Sequence, residues 1–366
     1  MRIALIGLGN AGHTLHLPAL AGIPTATVVG ACDLDPERRA RAAKRWKVPV
    51  FAEFDAMLDA ARPEVVIVAT PPDTHADYCL RSLDAGAHVI CEKPFVSSLE
   101  EADRVIAAAA AAGLQVALNH PFREMPIFRA LRDAARPEEI VFVQVWQLID
   151  LPPWAEPGWR AQMLQRTLYE AGVHLVDYVM ALFAEKPVAV SATISSCGVR
   201  ETHSDSVALA TLEFSRGRLA HILQNRLCKG ETQYFEVRAE TAGASLRASF
   251  GGRARLTAGL HRSVRPHLRL DFGVAGMAWR EVGTRRTRLA RNPRDPGMIA
   301  TRYTLEKTLA AFQSGTRPPT SAEDGRDVLE VIAACYHAAA RGARVTLDGV
   351  ETQALATLTM GSSSGT

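Results

Sequence analysis

Apolar residues along this chain fall first into short unbroken runs and later into alternation with polar ones. The runs are Arg2–Ile6, Thr25–Cys32, Glu64–Ala69, Ala87–Cys91 and Leu114–Leu118. Each is the length of one strand, and the unbroken character predicts parallel strands covered on both faces. Between them the spacing turns helical. His13–Leu20, Glu37–Trp46, Glu53–Arg62, Asp73–Ala85 and Ser98–Ala112 carry that pattern, with Asp73 and Ser98 as N-caps and Gly113 as a stop. Regular alternation of strand and helix to about residue 120 predicts an α/β, doubly wound parallel sheet.

After Pro121 the pattern changes. Pro126–Ala135 reads as a helix, and Glu139–Ile149 as a long strand of partly alternating character. Leu151–Gly158 is rich in proline and tryptophan, and Gln165–Phe183 is helical again. From Val188 to about Trp279 strand follows strand, which predicts an antiparallel or mixed sheet. Helices at Ala300–Gln313 and Glu323–Arg341 follow. The expected organisation is a first domain over 1–120 and an α+β domain over 121–348, with its late helices free to pack back on the first domain. A tail, 349–366, completes the chain. One face of the large second sheet has no obvious cover, so it is expected to pack against another subunit as a homodimer or homotetramer.

Length and composition bound the class. The 366 residues suit two domains; 48% hydrophobic and 22% charged content is ordinary for a soluble protein, and a net charge of +3 favours no polyanionic partner. The six cysteines, Cys32, Cys79, Cys91, Cys197, Cys228 and Cys335, form no Cys-x-x-Cys pair. No metal site is expected, and a reducing, cytoplasmic setting is. Neither a signal-peptide core nor a membrane-length run occurs. Arginines crowd from Arg253 to Arg294 without interleaved aromatics, which reads as a solvated face or oligomer rim rather than a nucleic-acid patch.

The strand ends carry the chemistry. Gly7, Gly9 and Gly12, with Asn10 and Ala11 between them, are spaced G-x-G-x-x-G between the first strand and its helix. Gly7 permits a tight turn, Gly9 a close approach of backbone to a pyrophosphate, and Gly12 close packing of helix on strand. Asp33 follows the second strand about 20 residues beyond Gly12, where a carboxylate bonds the adenosine ribose hydroxyls and disfavours the 2′-phosphate of NADP. Asp33 also reads as a helix cap before Pro36. The remaining strand ends are Thr70-Pro71-Pro72, Glu92-Lys93-Pro94 and Asn119. Ligands of such sheets bind outside these carboxyl ends, which makes NAD the expected cofactor. His75, Asn119 and His120 are candidates to touch cofactor or substrate, whereas His13 and His16 read as packing residues. Glu92 could pair with Lys93 or cap a backbone group.

In order and spacing the chain resembles the Gfo/Idh/MocA oxidoreductases, which include glucose–fructose oxidoreductase and inositol dehydrogenase. The resemblance rests on GLGNAG at Gly7–Gly12, HLPAL at His16–Leu20, ATPPDTH at Ala69–His75 and AGAHVICEKPF at Ala85–Phe95. GWR at Gly158–Arg160, EAGVHLVD at Glu170–Asp177 and TSAEDGRDVLEV at Thr320–Val331 complete it. It implies a Rossmann domain followed by an α+β domain with an open mixed sheet, and hydride transfer between nicotinamide and a secondary alcohol or ketone of a sugar, inositol or related polyol. By resemblance Lys93 bonds the reacting hydroxyl and His174 is the acid/base. Glu170 stands where relatives carry aspartate, one helical turn before His174. Gln165-Arg166-Thr167 replaces a common glycine triplet. Arg166, Arg160 and Arg123 could bind an acidic substrate, or be ion-paired surface residues. Trp159 could stack on a sugar face or pack in the core, and Asp177 reads as structural. The resemblance also permits a glycosidase or lyase using bound NAD transiently, and a non-catalytic NAD-sensing regulator.

Overall fold

The computed structural model describes residues 1–151, 158–196, 204–229, 233–251, 254–261, 264–272 and 276–347. The expected tail, 349–366, lies outside the described residues, as do Cys197, Arg253 and most of the proline- and tryptophan-rich stretch. The chain divides into two compact units: Met1–Glu124 with Gly297–Glu330, and Met125–Pro296 with the residues from Val331 on.

The first unit is built on a parallel sheet ordered β3-β2-β1-β4-β5-β6. Its strands are β1 (Arg2–Ile6), β2 (Thr27–Cys32), β3 (Val50–Phe51), β4 (Val65–Val68), β5 (His88–Cys91) and β6 (Val116–Leu118). Every residue of β4 is fully buried, as an apolar run covered on both faces requires. Helices α1 (Leu17–Ala21), α2 (Pro36–Trp46), α3 (Phe54–Ala61), α4 (His75–Asp84) and α5 (Leu99–Ala112) connect the strands. Ser98 caps α5 by accepting from the Glu101 amide, and Gly113 ends it at φ 66°. Asp73 does not cap α4. Pro72–Thr74 forms a short 3₁₀ turn instead, and the Thr74 hydroxyl bonds Thr70 and Pro71. Sequence pattern overlooked β3, two residues long, because so short a strand has no period. Leu305, Leu309 and Phe312 join Ile3, Leu5, Val65, Ile67 and Ile90 in one core. Burying each such side chain stabilises the unit by about 1.5–3 kcal/mol.

In the second unit, α6 (Pro126–Ala134), β7 (Ile140–Ile149) and α7 (Val173–Phe183) precede a run of strands. These are β8 (Ala189–Ser195), β9 (Val207–Glu213), β10 (Leu219–Asn225), β11 (Gln233–Thr241), β12 (Ser245–Gly251), β13 (Ala254–His261), β14 (Val264–Phe272), β15 (Met277–Val282) and β16 (Arg285–Arg291). Helix α8 (Pro296–Ser314), beyond its first residue, and the first half of α9 (Ala322–Arg341) belong to the first unit, and the chain returns to the second with the rest of α9 and β17 (Val345–Thr346). Among the described residues β7–β12 and β15–β17 form one mixed sheet ordered β16-β15-β12-β11-β7-β10-β9-β8-β17, and β13 pairs with β14 alone. Only β7 and β10 in that sheet run parallel. Helices α6 and α7 lie on one face, where Phe128 packs 5.1 Å from both Tyr178 and Phe235. Alternation on β9 buries Ala208, Ala210 and Leu212 beneath the helices and turns Leu209 outward, 39% exposed. Leu219 on β10 is likewise 38% exposed. Among the described residues no helix is long and apolar enough to cross a membrane.

Candidate active site

The glycine turn is shaped by backbone contacts that leave no room for side chains. Gly7 has φ +99°, and a Cβ there would stand 2.4 Å from the Ala69 carbonyl oxygen. A Cβ on Gly12 would stand 2.1 Å from the Gly7 carbonyl oxygen. Gly9 differs: its nearest neighbour is the Arg38 guanidinium, at 3.9 Å. Gly7 and Gly12 are therefore needed by the fold, and the space over Gly9 is open for a ligand. The turn leads through a π-helical segment, Gly12–His16, into α1.

Asp33 is buried and holds the same turn. One carboxylate oxygen accepts from the Leu8 amide at 2.7 Å and the other from the Asp35 amide at 2.9 Å. The helix-cap role falls to Asp35, which accepts from the Glu37 and Arg38 amides. Arg38, which sequence reasoning missed, reaches Asp33 at 3.6 Å and Asp35 at 3.3 Å. A carboxylate and a guanidinium thus share the rim of the turn, where the cofactor ribose is expected.

Glu92 is the hub of the next layer. Its Oε1 lies 2.7 Å from His16 Nε2 and accepts from the Asn119 amide at 2.7 Å, and its Oε2 accepts from the Lys93 backbone N–H at 3.1 Å. Burial pushes the carboxyl up, but the His16 bond and charge, the Asn119 bond and the Lys93 charge outweigh it, leaving a pKa of about 2. Glu92 thus joins the glycine-turn helix to the ends of β5 and β6. Lys93 follows it directly, in a cis peptide with Pro94. Asn119 Oδ1 is buried without a hydrogen-bond partner, a vacant acceptor at the end of β6. Open space over Gly9, the Asp33 carboxylate and this acceptor together fit a dinucleotide.

His75 is occupied otherwise than expected. Its Nδ1 lies 2.9 Å from the Phe95 carbonyl oxygen and 3.0 Å from that of Pro94, and its Nε2 lies 2.8 Å from that of Thr70. The ring links the ends of β4 and β5 through the backbone. Arg123 donates to the Pro319 carbonyl at 3.2 Å.

The second unit holds the other candidates. Thr167–Gly172 is a second π-helical segment and runs into α7, so Glu170 and His174 lie across a π-to-α junction. Such segments often mark functional sites. Glu170 is nearly buried. Arg160 stands 3.2 Å from its Oε1 and Arg226 3.7 Å from its Oε2. Arg166 is fully buried, and burial and the Arg226 charge pull its pKa down to about 10. Arg160 also covers the Trp159 ring at 4.3 Å. His174 is half-buried and Asp177 fully buried. Asp205, also missed, holds the start of this segment. Its Oδ1 accepts from the Arg166 and Thr167 amides at 2.8 and 2.7 Å, and its Oδ2 accepts from the Tyr336 hydroxyl at 2.6 Å. A carboxylate at a helix N-terminus satisfies open amides and complements the dipole. Among the described residues no group of His, Cys, Asp and Glu has the arrangement of a metal site.

Known proteins resemble this chain in sequence and in fold. Residues 1–120 match the oxidoreductase family with NAD-binding Rossmann fold, and residues 128–245 match the GFO/IDH/MocA C-terminal domain. D-apiose dehydrogenase of Paraburkholderia graminis is 25% identical, over 96% of this chain and 91% of its own. Inositol 2-dehydrogenase of Rhizobium meliloti is 30% identical over 53% of this chain and 58% of its own. In fold, the chain resembles an oxidoreductase from Agrobacterium radiobacter, solved in complex with NAD+, L-tartaric acid and magnesium. The TM-score is 0.79 at 15% identity, over 95% of this chain and 98% of that one.

Proposed function

Because the chain belongs to the GFO/IDH/MocA oxidoreductases and is an NAD-dependent enzyme of that family, we propose that it acts on a secondary hydroxyl or ketone of a sugar, inositol or related polyol. The observation that carries this reading is the Glu92 network, which fastens Lys93 to the helix of the glycine turn. Relatives named for D-apiose and inositol support a polyhydroxylated substrate.

Gly7, Gly9, Asn10, Ala11 and Gly12 would hold the pyrophosphate, Asp33 the adenosine ribose, and Thr70, Pro71 and Asn119 the remainder. Bound NAD supplies the hydride acceptor, or its reduced form the donor. The chain's own part is proton transfer and orientation. His174, whose ordinary pKa lies near neutrality, takes the proton of the reacting hydroxyl on oxidation and returns it on reduction. The Lys93 ammonium donates a hydrogen bond to the same oxygen, steadying the negative charge that develops there. Glu170, held between two guanidinium groups, steadies the segment that leads to His174.

Five cysteines among the described residues are free, which supports a reducing, cytoplasmic setting. Leu209 and Leu219, exposed on the sheet face away from α6 and α7, support a homo-oligomer formed through that face.

Purified protein incubated with NAD and a panel of sugars and polyols tests the reading. Net formation of reduced nicotinamide that disappears in Lys93→Ala supports it. Product without net reduction, or NAD binding without turnover of any panel member, overturns it.

A further inference from the structure

Two glutamines sit in the helix-facing side of the second sheet, where packing alone calls for apolar residues. Across the strands one row runs Ile194, Ala208, Gln224, Gln147, Phe235, Phe250, each paired in register with the next. In the adjoining row Ala210, Ile222, Val145 and Val237 are all apolar. Gln224 is fully buried and Gln147 is 6% exposed. Both amide atoms of Gln224, and Oε1 of Gln147, are buried with no hydrogen-bond partner. Buried carboxamides left unsatisfied are rare and unfavourable in a packed interior. A leucine at either place would fill the volume without that penalty.

The place of the pair indicates its use. Gln224 stands two residues before Arg226, on the same buried side of the chain, and Arg226 approaches Glu170. The π-helical segment bearing Glu170 packs on β9 and β10, the strands of Ala208 and Gln224. A carboxamide offers a donor and an acceptor side by side, and a hydroxyl group needs both.

We propose that Gln147 and Gln224 form a substrate-specificity subsite that reads two neighbouring hydroxyl groups of a sugar or polyol. The proposal rests on the function proposed above and adds the residues that read the hydroxyl pattern, since paired carboxamides offer both the donors and the acceptors that a diol needs. A site built to bond hydroxyl groups also rejects analogues that lack them, because its own polar groups then stay unpaired.

The test uses the full chain, with Gln147→Leu, Gln224→Leu and, as a conservative companion, Gln224→Met. Kinetics use the panel member that wild type turns over best. Each variant is expected to raise KM about tenfold or more, which is the loss of one to two hydrogen bonds. The expected kcat is nearly unchanged, the affinity for NADH unchanged, and the melting temperature equal to or above wild type. Unchanged KM overturns the subsite, and so does a lower melting temperature with KM intact, which marks a structural role. A second readout needs no turnover: the thermal shift given by myo-inositol or D-glucose in the presence of NAD. If wild type shows that shift without turnover and the variants lose it, the subsite stands and the proposed reaction falls. If wild type turns over a polyol and the variants match it, the reaction stands and the subsite falls. If no panel member binds or turns over, both fall.

Discussion

His16 Nε2 lies 2.7 Å from Glu92 Oε1, and the two buried side chains join the helix of the glycine turn to the strand end that bears Lys93. Removing the charge from Glu92 should therefore loosen the Lys93 backbone as well as destabilise the first unit. Glu92→Gln is expected to lower stability by about 3 kcal/mol near neutral pH, as breaking a buried pair does, and to reduce kcat. The sign of the pH effect follows from the depressed pKa, about 2 against an ordinary 4.5. The stabilisation is fully present above 4.5 and is lost as pH falls towards 2. Urea titrations of both proteins across that range should converge at the acid end. A constant gap would show that Glu92 acts by shape rather than charge.

Gly7 and Gly9 should separate folding from binding. Gly7→Ala places a Cβ 2.4 Å from the Ala69 carbonyl at positive φ, and a loss of about 2–4 kcal/mol is expected. Gly9→Ala meets only the Arg38 guanidinium, at 3.9 Å. It should keep the wild-type melting temperature and weaken NAD binding. Equal destabilisation by both would refute the assignment of open space over Gly9 to the cofactor.

Asp33 and Arg38 set opposite charges 3.6 Å apart at the place expected for the ribose. Wild type should prefer NAD to NADP, because the carboxylate repels a 2′-phosphate. Asp33→Ser leaves Arg38 uncompensated, and the affinity ratio should shift towards NADP by about tenfold or more. Titration of both cofactors against both proteins checks this. Equal affinity of wild type for the two would remove Asp33 from the ribose site.

How far the sequence discloses this arrangement depends on the range of each interaction. The parallel sheet is legible because strands buried on both faces are unbroken apolar runs, and their polar ends mark one edge. Asp33 admits two readings in sequence. The cap belongs to Asp35, while Asp33 accepts from the amides of Leu8 and Asp35. The π-helical segments escape notice because helical periodicity presumes a regular turn. Asp205 and Gln224 escape because their settings are made by residues distant in the chain: the Arg166 and Thr167 amides for the one, β7 for the other. His75 looks like a ligand at a strand end until its carbonyl partners are seen.

Asp205 should act on activity only through the segment it holds. Asp205→Asn keeps one acceptor and removes the charge shared by the Arg166 and Thr167 amides and Tyr336. A loss of about 1–2 kcal/mol is expected, with kcat reduced and NAD affinity unchanged. Tyr336→Phe should reproduce the direction with a smaller effect. A change in NAD affinity alone would contradict the positioning role.

The central claim is hydride transfer from a polyol carbon to NAD with the proton passing to His174. Its most direct test is the fate of deuterium from the carbinol carbons of the panel polyol that wild type turns over, followed by mass spectrometry of the cofactor. The account predicts deuterium in the reduced nicotinamide with wild type, and transfer slowed at least a hundredfold in His174→Ala and Lys93→Ala, the range for one acid–base group. Reduced nicotinamide without deuterium, or undiminished transfer in either variant, would contradict it.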